Sequence, residues 1–170
     1  MDTIENNTDK EARYPLMFEI PLTAVPLLSI AAAILLVYLP VGIVVQERQK
    51  LGYDSSAPRA MFDQLPDRAK RATWAHQNGF ETLTPFATTA LIAYVTGPHS
   101  SPVLLGLSGD LLIALFCTLF LLFRIVYSLA YINDQPLLRS LAFGVGSLCT
   151  MGILGIALLP MLWVSASAAI

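Results

Sequence analysis

Long uncharged apolar runs constrain this chain more than any other feature. Leu22 to Val45 contains no ionisable side chain except Tyr38, Leu111 to Phe123 is unbroken, and Leu141 to Trp163 carries no formal charge. A run of about 18 or more such residues is long enough to cross the hydrocarbon core of a bilayer as a helix. Inside lipid every backbone polar group must be satisfied within the segment, so a helix is the form such a run takes. Composition agrees. Of the 170 residues only 13% are charged and 55% are hydrophobic, whereas a soluble domain carries roughly twice that charge. The chain reads as an integral, multi-pass membrane protein.

Several function classes drop out early. The first apolar run follows a polar, acidic stretch, "MDTIENNTDKEARYPLMFEI", where a removable signal peptide has a short basic one. A net charge of −2 argues against a nucleic-acid partner. Cys117 and Cys149 sit far apart inside apolar runs, so they read as buried structural thiols; no metal site is expected.

Four helices follow from the pattern, about Leu22–Val45, Arg68–Thr96, a third ending near Ile132, and Leu137–Trp163. Pro26 and Pro40 fall inside the first. The third starts between Val103 and Leu111, where "LSGD" offers an N-cap. Residues 1–20 form a polar tail, 21–165 one all-α four-helix membrane domain, and 166–170 a short C-terminal tail. Arg48, Lys50, Arg59, Arg68, Lys70 and Arg71 crowd the connection between the first two helices, and Arg139 borders the one between the last two. The "TGPHSSP" turn between the second and third has no Lys or Arg. The positive-inside rule then places both termini outside and the basic connections in the cytoplasm. In the fourth helix Gly144, Gly146, Ser147, Gly152 and Gly155 predict close packing against a neighbour.

The second helix carries an unusual polar stripe. At about 100° per residue, Arg71, Trp74, Asn78, Glu81, Pro85 and Thr89 share one face, with His76 opposite. Lipid would not solvate that face, so it must meet other helices or a wet cavity. The third helix supplies a match in "FRIVYSLAYIND", where Arg124, Tyr127 and Tyr131 recur with Ser128 beside them. Glu81 lies about 15 Å below Arg71 and Arg124 about 13 Å from the same side, so a Glu81–Arg124 pair is expected, within one chain or between two. Blander roles compete: a buried pair that only fixes register, Asn78 as interhelical glue, the tyrosines as an interfacial belt, Arg139 as a basic anchor, and His76 as a packed ring.

Together "RAKRATWAHQNGFETLTPF", "TGPHSSP", "FRIVYSLAYI" and "LLRSLAF", in that order across roughly residues 20–165, resemble the membrane-associated proteins in eicosanoid and glutathione metabolism (MAPEG). The resemblance implies a homotrimer in which glutathione, as co-substrate, binds between subunits on the cytoplasmic side and attacks a lipophilic small molecule drawn from membrane lipids. Asn78 and Glu81 match the family's second-helix amide and carboxylate, and Tyr131 its late third-helix tyrosine. Arg139 matches the arginine that stabilises the thiolate, and Ser140 the serine after it. Arg48 resembles an arginine that reaches a peptide carboxylate. With Arg71, Arg124 and Tyr127 these complete the expected binding set. The "WAHQN" form is similar to bacterial members and implies a bacterial inner membrane.

The departures are specific. Trp74 stands where glutathione-dependent members commonly have arginine, Gln77 replaces another basic residue, and Phe143 lies where a tyrosine is often seen. Each lost cation removes about 1.5–3 kcal/mol per charged hydrogen bond to an anionic tripeptide. Two readings therefore stand beside each other: a glutathione-dependent transferase or peroxidase, and a non-catalytic lipid-binding protein resembling the five-lipoxygenase-activating branch. A proton-coupled transporter built on Glu81 is a third, but such proteins lack the cationic loop and the Arg-Tyr-Tyr stripe.

Overall fold

The computed structural model describes residues 20–167, with side chains through residue 158. The N-terminal tail, apart from Ile20, lies outside that range, as do residues 168–170. A 3-10 turn at Leu22–Ala24 leads into α1 (Val25–Tyr38), followed by α2 (Val41–Lys50). A loop with a second 3-10 turn, Ala60–Gln64, precedes α3 (Asp67–Thr96). A small hairpin, β1 (Pro102–Leu104) and β2 (Leu107–Ser108), joins it to α4 (Gly109–Ile132), and α5 (Pro136–Ser167) closes the chain.

Three of these segments are long and apolar enough to span a membrane. They are Leu22–Lys50, which takes α1 and α2 together, then Gly109–Ile132 and Pro136–Leu158, with mean hydropathies of 2.6, 2.3 and 2.0. The protein is thus a mostly helical integral membrane protein. α3 has the length, about 45 Å for its 30 residues, but its polar stripe keeps it out of that set.

Two expectations about helix limits change. The first span continues to Lys50 instead of stopping at Val45, and it is broken in the middle. Pro40 has no N–H to give Leu36, so the ladder switches to i−3 bonds: Leu39 N to Leu36 O at 3.3 Å and Ile43 N to Pro40 O at 3.2 Å. Pro26, in the first turn of α1, costs nothing. α5 runs on to Ser167, past the expected end at Trp163.

α3 packs against α1, α2, α4 and α5. It can do so because its buried face is small: Ala69, Ala72, Ala75, Gly79, Ala90 and Ala93 recur at helical spacing around Phe86. Apolar burial is weakly rewarded in lipid, so close backbone approach has to supply the contact. At Gly79 the approach is tight; a Cβ there would lie 3.2 Å from Val37 Cγ2 of α1. In the centre Phe86 stacks on Phe120 of α4, ring centroids 3.8 Å apart, and Cys117, Cys149 and Ile153 are buried around them. Both thiols are free. The α5 glycines divide. Gly152 lets Phe116 in, since a Cβ would meet its ring at 2.6 Å, whereas Gly144 and Gly155 face open space.

The two ends of the bundle differ in chemistry. At one end His99 N donates to Asp110 Oδ1 at 2.9 Å and Asp110 N returns a bond to the His99 carbonyl at 2.9 Å. Ser108 caps α4 by accepting from Leu111 N at 3.3 Å, as "LSGD" suggested. The hairpin was not expected. Leu105 and Gly106 both take positive φ, 52° and 77°, which is the two-residue turn that suits strand twist. At the other end Val44, Leu65, Ala69, Ala72 and Ile132 form a second small core. That core fixes the first turn of α2, the start of α3 and the last turn of α4 side by side. The cations from Arg48 to Arg71, with Arg139, therefore share one end.

Candidate functional site

Arg71 ties this basic end together. Its Nε donates to the Ile132 carbonyl at 3.1 Å, satisfying an orphan acceptor of α4's last turn, while Nη1 stands 3.9 Å from Asp134 Oδ2. α3 then descends through Trp74, Asn78 and Glu81 on one face, as its periodicity predicts. Thr89, further down that stripe, is buried in the core.

Opposite Asn78, α4 projects Arg124, only 7% exposed. Both of its terminal nitrogens donate to Asn78 Oδ1, each at 3.2 Å, and Asn78 Nδ2 donates to Glu81 Oε2 at 3.1 Å. Within the chain the expected Glu81–Arg124 pair is therefore indirect. An amide carries both an acceptor and donors, so Asn78 accepts from the cation with one end and serves the anion with the other. The guanidinium also lies 4.2 Å from the Tyr127 ring centroid, where the negative face of the ring stabilises it.

From Tyr127 the cluster climbs back to the surface. Tyr127 and Tyr131 meet edge to face with centroids 5.7 Å apart, and the Arg139 guanidinium of α5 sits 4.7 Å from the Tyr131 centroid. Trp74 flanks Tyr131 at 6.4 Å, and Phe62 of the loop flanks Trp74 at 5.9 Å. Phe143 lies 6.3 Å from Tyr127. Arg139, Tyr131, Tyr127, Arg124, Asn78 and Glu81 thus form one continuous line from the helix ends into the bundle, with Ser140 exposed beside Arg139. Below Arg124 a narrow groove of about 70 Å³ continues between α3, α4 and α5, lined by Thr82, Pro85, Phe143, Ser147 and Thr150 among others.

Arg48 does not join this line. It faces a separate hollow of about 710 Å³ on another flank of α3, with Arg59, Phe62, His76, Gln77 and Phe80. His76 is a packed ring, as its place off the stripe suggested. Its Nδ1 lies 2.7 Å from the Val37 carbonyl, next to the Pro40 break, and its ring contacts Tyr38 and Phe80 at 5.6 and 5.1 Å. Sequence reasoning missed Arg59 and Phe62, which sit in an aperiodic loop with no register to reveal them. It also missed Ser147 and Thr150 as groove residues, because both bond to their own helix carbonyls and look like ordinary helix hydroxyls. Among the described residues no group of three or more His, Cys, Asp or Glu could hold a metal ion.

The sequence model described as the MAPEG family matches residues 25–159, which takes in every element from α1 into α5. No curated protein and no solved structure matches the chain.

Proposed function

The chain belongs to the MAPEG family, and from that premise we propose that it is a membrane-bound glutathione-dependent transferase or peroxidase acting on lipophilic electrophiles. The family holds both glutathione transferases and lipid-binding activating proteins. The observation that carries the catalytic reading is the unbroken polar line from Arg139 to Glu81, ending at an apolar groove. An anionic thiol can enter along the polar line from water, a lipophile along the groove from the bilayer, and the two meet beside fixed cations. Holding both in one place removes much of the entropic barrier to their reaction.

In this reading α3 is a fourth span, and three copies assemble so that the site is completed between them. A single chain leaves the Gln77 amide and the Glu81 carboxylate exposed on α3, about one and two turns below Trp74; lipid cannot solvate them, and a neighbouring copy would cover them. The basic end faces the cytoplasm, by the positive-inside rule.

The residues divide the work. Arginines grip the carboxylates of glutathione, with planar forks suited to bidentate contact. Asn78 and Glu81 receive its amino and amide groups. An ordinary thiol has a pKa of about 8.5 and is mostly protonated at neutral pH; Arg139, beside the sulfur, favours the thiolate. The thiolate then attacks an electrophilic carbon. A C–S bond forms, and the bond to the leaving group breaks with its electron pair, or an epoxide oxygen takes a proton as its ring opens. With a lipid hydroperoxide the sulfur attacks the terminal oxygen, the O–O bond breaks, the alkoxide takes a proton and leaves as the alcohol, and a second glutathione attacks the resulting sulfenic acid to give the disulfide and water.

A second reading rests on Trp74. The Phe62–Trp74–Tyr131 wall puts aromatic surface where a cation is expected, which suits a non-catalytic lipid-binding protein. Conjugation of glutathione to a small aromatic electrophile by the purified protein, compared with Arg139→Ala, separates the two. Absence of both turnover and glutathione binding at millimolar concentration would remove the enzyme and leave the lipid binder.

A further inference from the structure

We propose that the hairpin between α3 and α4 is a membrane-seated tip, with Val103, Leu104 and Leu105 held in the lipid leaflet opposite the basic end. The turn is the first observation. Leu105 and Gly106 stand at φ 52° and 77°, in a two-residue turn whose first position favours Asn, Asp or Gly. A leucine there is strained by its own Cβ, and this one is 89% exposed. In water the residue would combine backbone strain with a bare apolar side chain, and neither helps the fold. Strain of this kind persists where other interactions hold it in place, and a bilayer favours leucine.

The residues around the turn point the same way. Leu104 is 56% exposed and Val103 38%, whereas Leu107 packs against the core and seats the hairpin with its tip outward. No Asp, Glu, Lys or Arg stands between Thr96 and Asp110, and the one histidine there, His99, is buried. The base is fixed to α4, because Gly109 N donates to the Ser101 carbonyl at 3.2 Å and Asp110 N to the His99 carbonyl at 2.9 Å. α4 is long and apolar enough to span a membrane, so a tip only four residues beyond Ser101 stands about 13 Å or less from its end. Tyr94, half-exposed near the end of α3, is the kind of side chain that marks a membrane–water boundary. The exposed apolar surface of the bundle thus continues through Val95 into the hairpin, while the described cations cluster toward the other end. The partner that fits an uncharged, rigidly mounted apolar tip at this height is lipid. None of this depends on the transferase reading.

The test uses the full chain in phosphatidylcholine nanodiscs, spin-labelled at Leu105→Cys and, in a second variant, at Leu104→Cys. Wild type, whose two cysteines are buried, is the labelling blank. Collision of the label with oxygen, which concentrates in hydrocarbon, is compared with its collision with a water-soluble nickel chelate. Ser55→Cys in the exposed loop before α3 and Leu122→Cys on the exposed side of α4 are the water and lipid references. The oxygen-to-nickel ratio at both hairpin positions should be at least twice that of Ser55→Cys and approach that of Leu122→Cys. Thermal unfolding adds a test of sign. Asn suits a left-handed turn position, so Leu105→Asn would raise the midpoint of a solvated hairpin; in nanodiscs it should lower the midpoint of this one. The proposal is overturned if the Leu105 label is as open to nickel as Ser55, if it is shielded from both probes as a protein contact would shield it, or if Leu105→Asn melts at or above wild type.

Discussion

Asn78 is the residue whose removal tests the site most sharply. Asn78→Ala takes away the acceptor for both Arg124 nitrogens, at 3.2 Å each, and the donor to Glu81 at 3.1 Å. Neutral interhelical hydrogen bonds in membranes average about 0.6 kcal/mol and reach about 1.7. Here the donor is a guanidinium only 7% exposed, so its charge is left without a polar partner. Stripping one partner from a fully buried charged pair costs about 3–5 kcal/mol. Tyr127 remains as a partial partner at 4.2 Å, which places the expected loss between these bounds, at about 2–4 kcal/mol. Glu81→Gln behaves differently, because a glutamine carbonyl still accepts from Asn78 and the Arg124 bonds are untouched; its loss should stay under about 1 kcal/mol. Reversible unfolding of both variants in mixed micelles measures the two. If Glu81→Gln destabilises as much as Asn78→Ala, then Glu81 balances Arg124 directly, and the relay through the amide is wrong.

Three further outcomes follow from the same geometry. Arg139→Ala should lower the rate of glutathione conjugation about a hundredfold, in the range for loss of one group that stabilises developing negative charge, with the KM for the electrophile little changed; steady-state kinetics separates the two parameters. Trp74→Arg, restoring a cation beside Tyr131, should tighten glutathione binding about tenfold and steepen its salt dependence, while weakening any lipid held by the aromatic wall. Gly109→Ala should destabilise by several kcal/mol, as overpacking against immobile atoms does, because the new Cβ would sit 2.7 Å from His99 Cβ and 2.9 Å from its carbonyl oxygen. Gly144→Ala, which meets nothing within 4 Å in the chain, is the matching control; thermal unfolding of purified protein reads both.

Depth along helices was legible in the sequence because it needs only the rise per residue. Glu81 and Arg124, placed at similar depth by counting, do fall within reach of one amide. The cation–aromatic line from Arg124 to Tyr131 was legible for the same reason, since i, i+3 and i+7 share a face. What periodicity does not encode is which of several polar neighbours touches which. Asn78 read as glue beside a Glu–Arg pair, and it is the bridge between them, because its side chain alone offers an acceptor toward α4 and a donor along α3. Aperiodic segments were opaque. Nothing in "DSSAPRAMFDQLPD" reveals that Arg59 turns toward α3, and "PVLLGLS" lacks the Asn-Gly signal of a hairpin. Arg48 falls at the basic end, and the flank of α3 it faces within one chain was not legible, because helix α2 starts afresh after the Pro40 break and its phase cannot be counted from α1.

The exposed face of α3 shows why its composition departs from the three long apolar segments. Gln77, Glu81, Thr84 and Thr88 follow one another at intervals of four, three and four along one uncovered side. The two threonines are no burden to a lipid-facing helix, because their hydroxyls donate to the Phe80 and Thr84 carbonyls at 3.2 and 2.8 Å. The cost falls on Gln77 and Glu81, where an amide and a carboxylate face outward. Asn78 offers Glu81 one bond, which leaves most of its acceptor capacity unmet. A carboxylate in that position is stable only against water or protein. The same step along the helix puts Gln77 at the wall of the Arg48–Arg59 hollow and Glu81 at the end of the Arg124 line. The side of α3 that lipid would reject is therefore the strip between the Arg48 hollow and the Arg124 line, and a copy of the chain laid over it would enclose both.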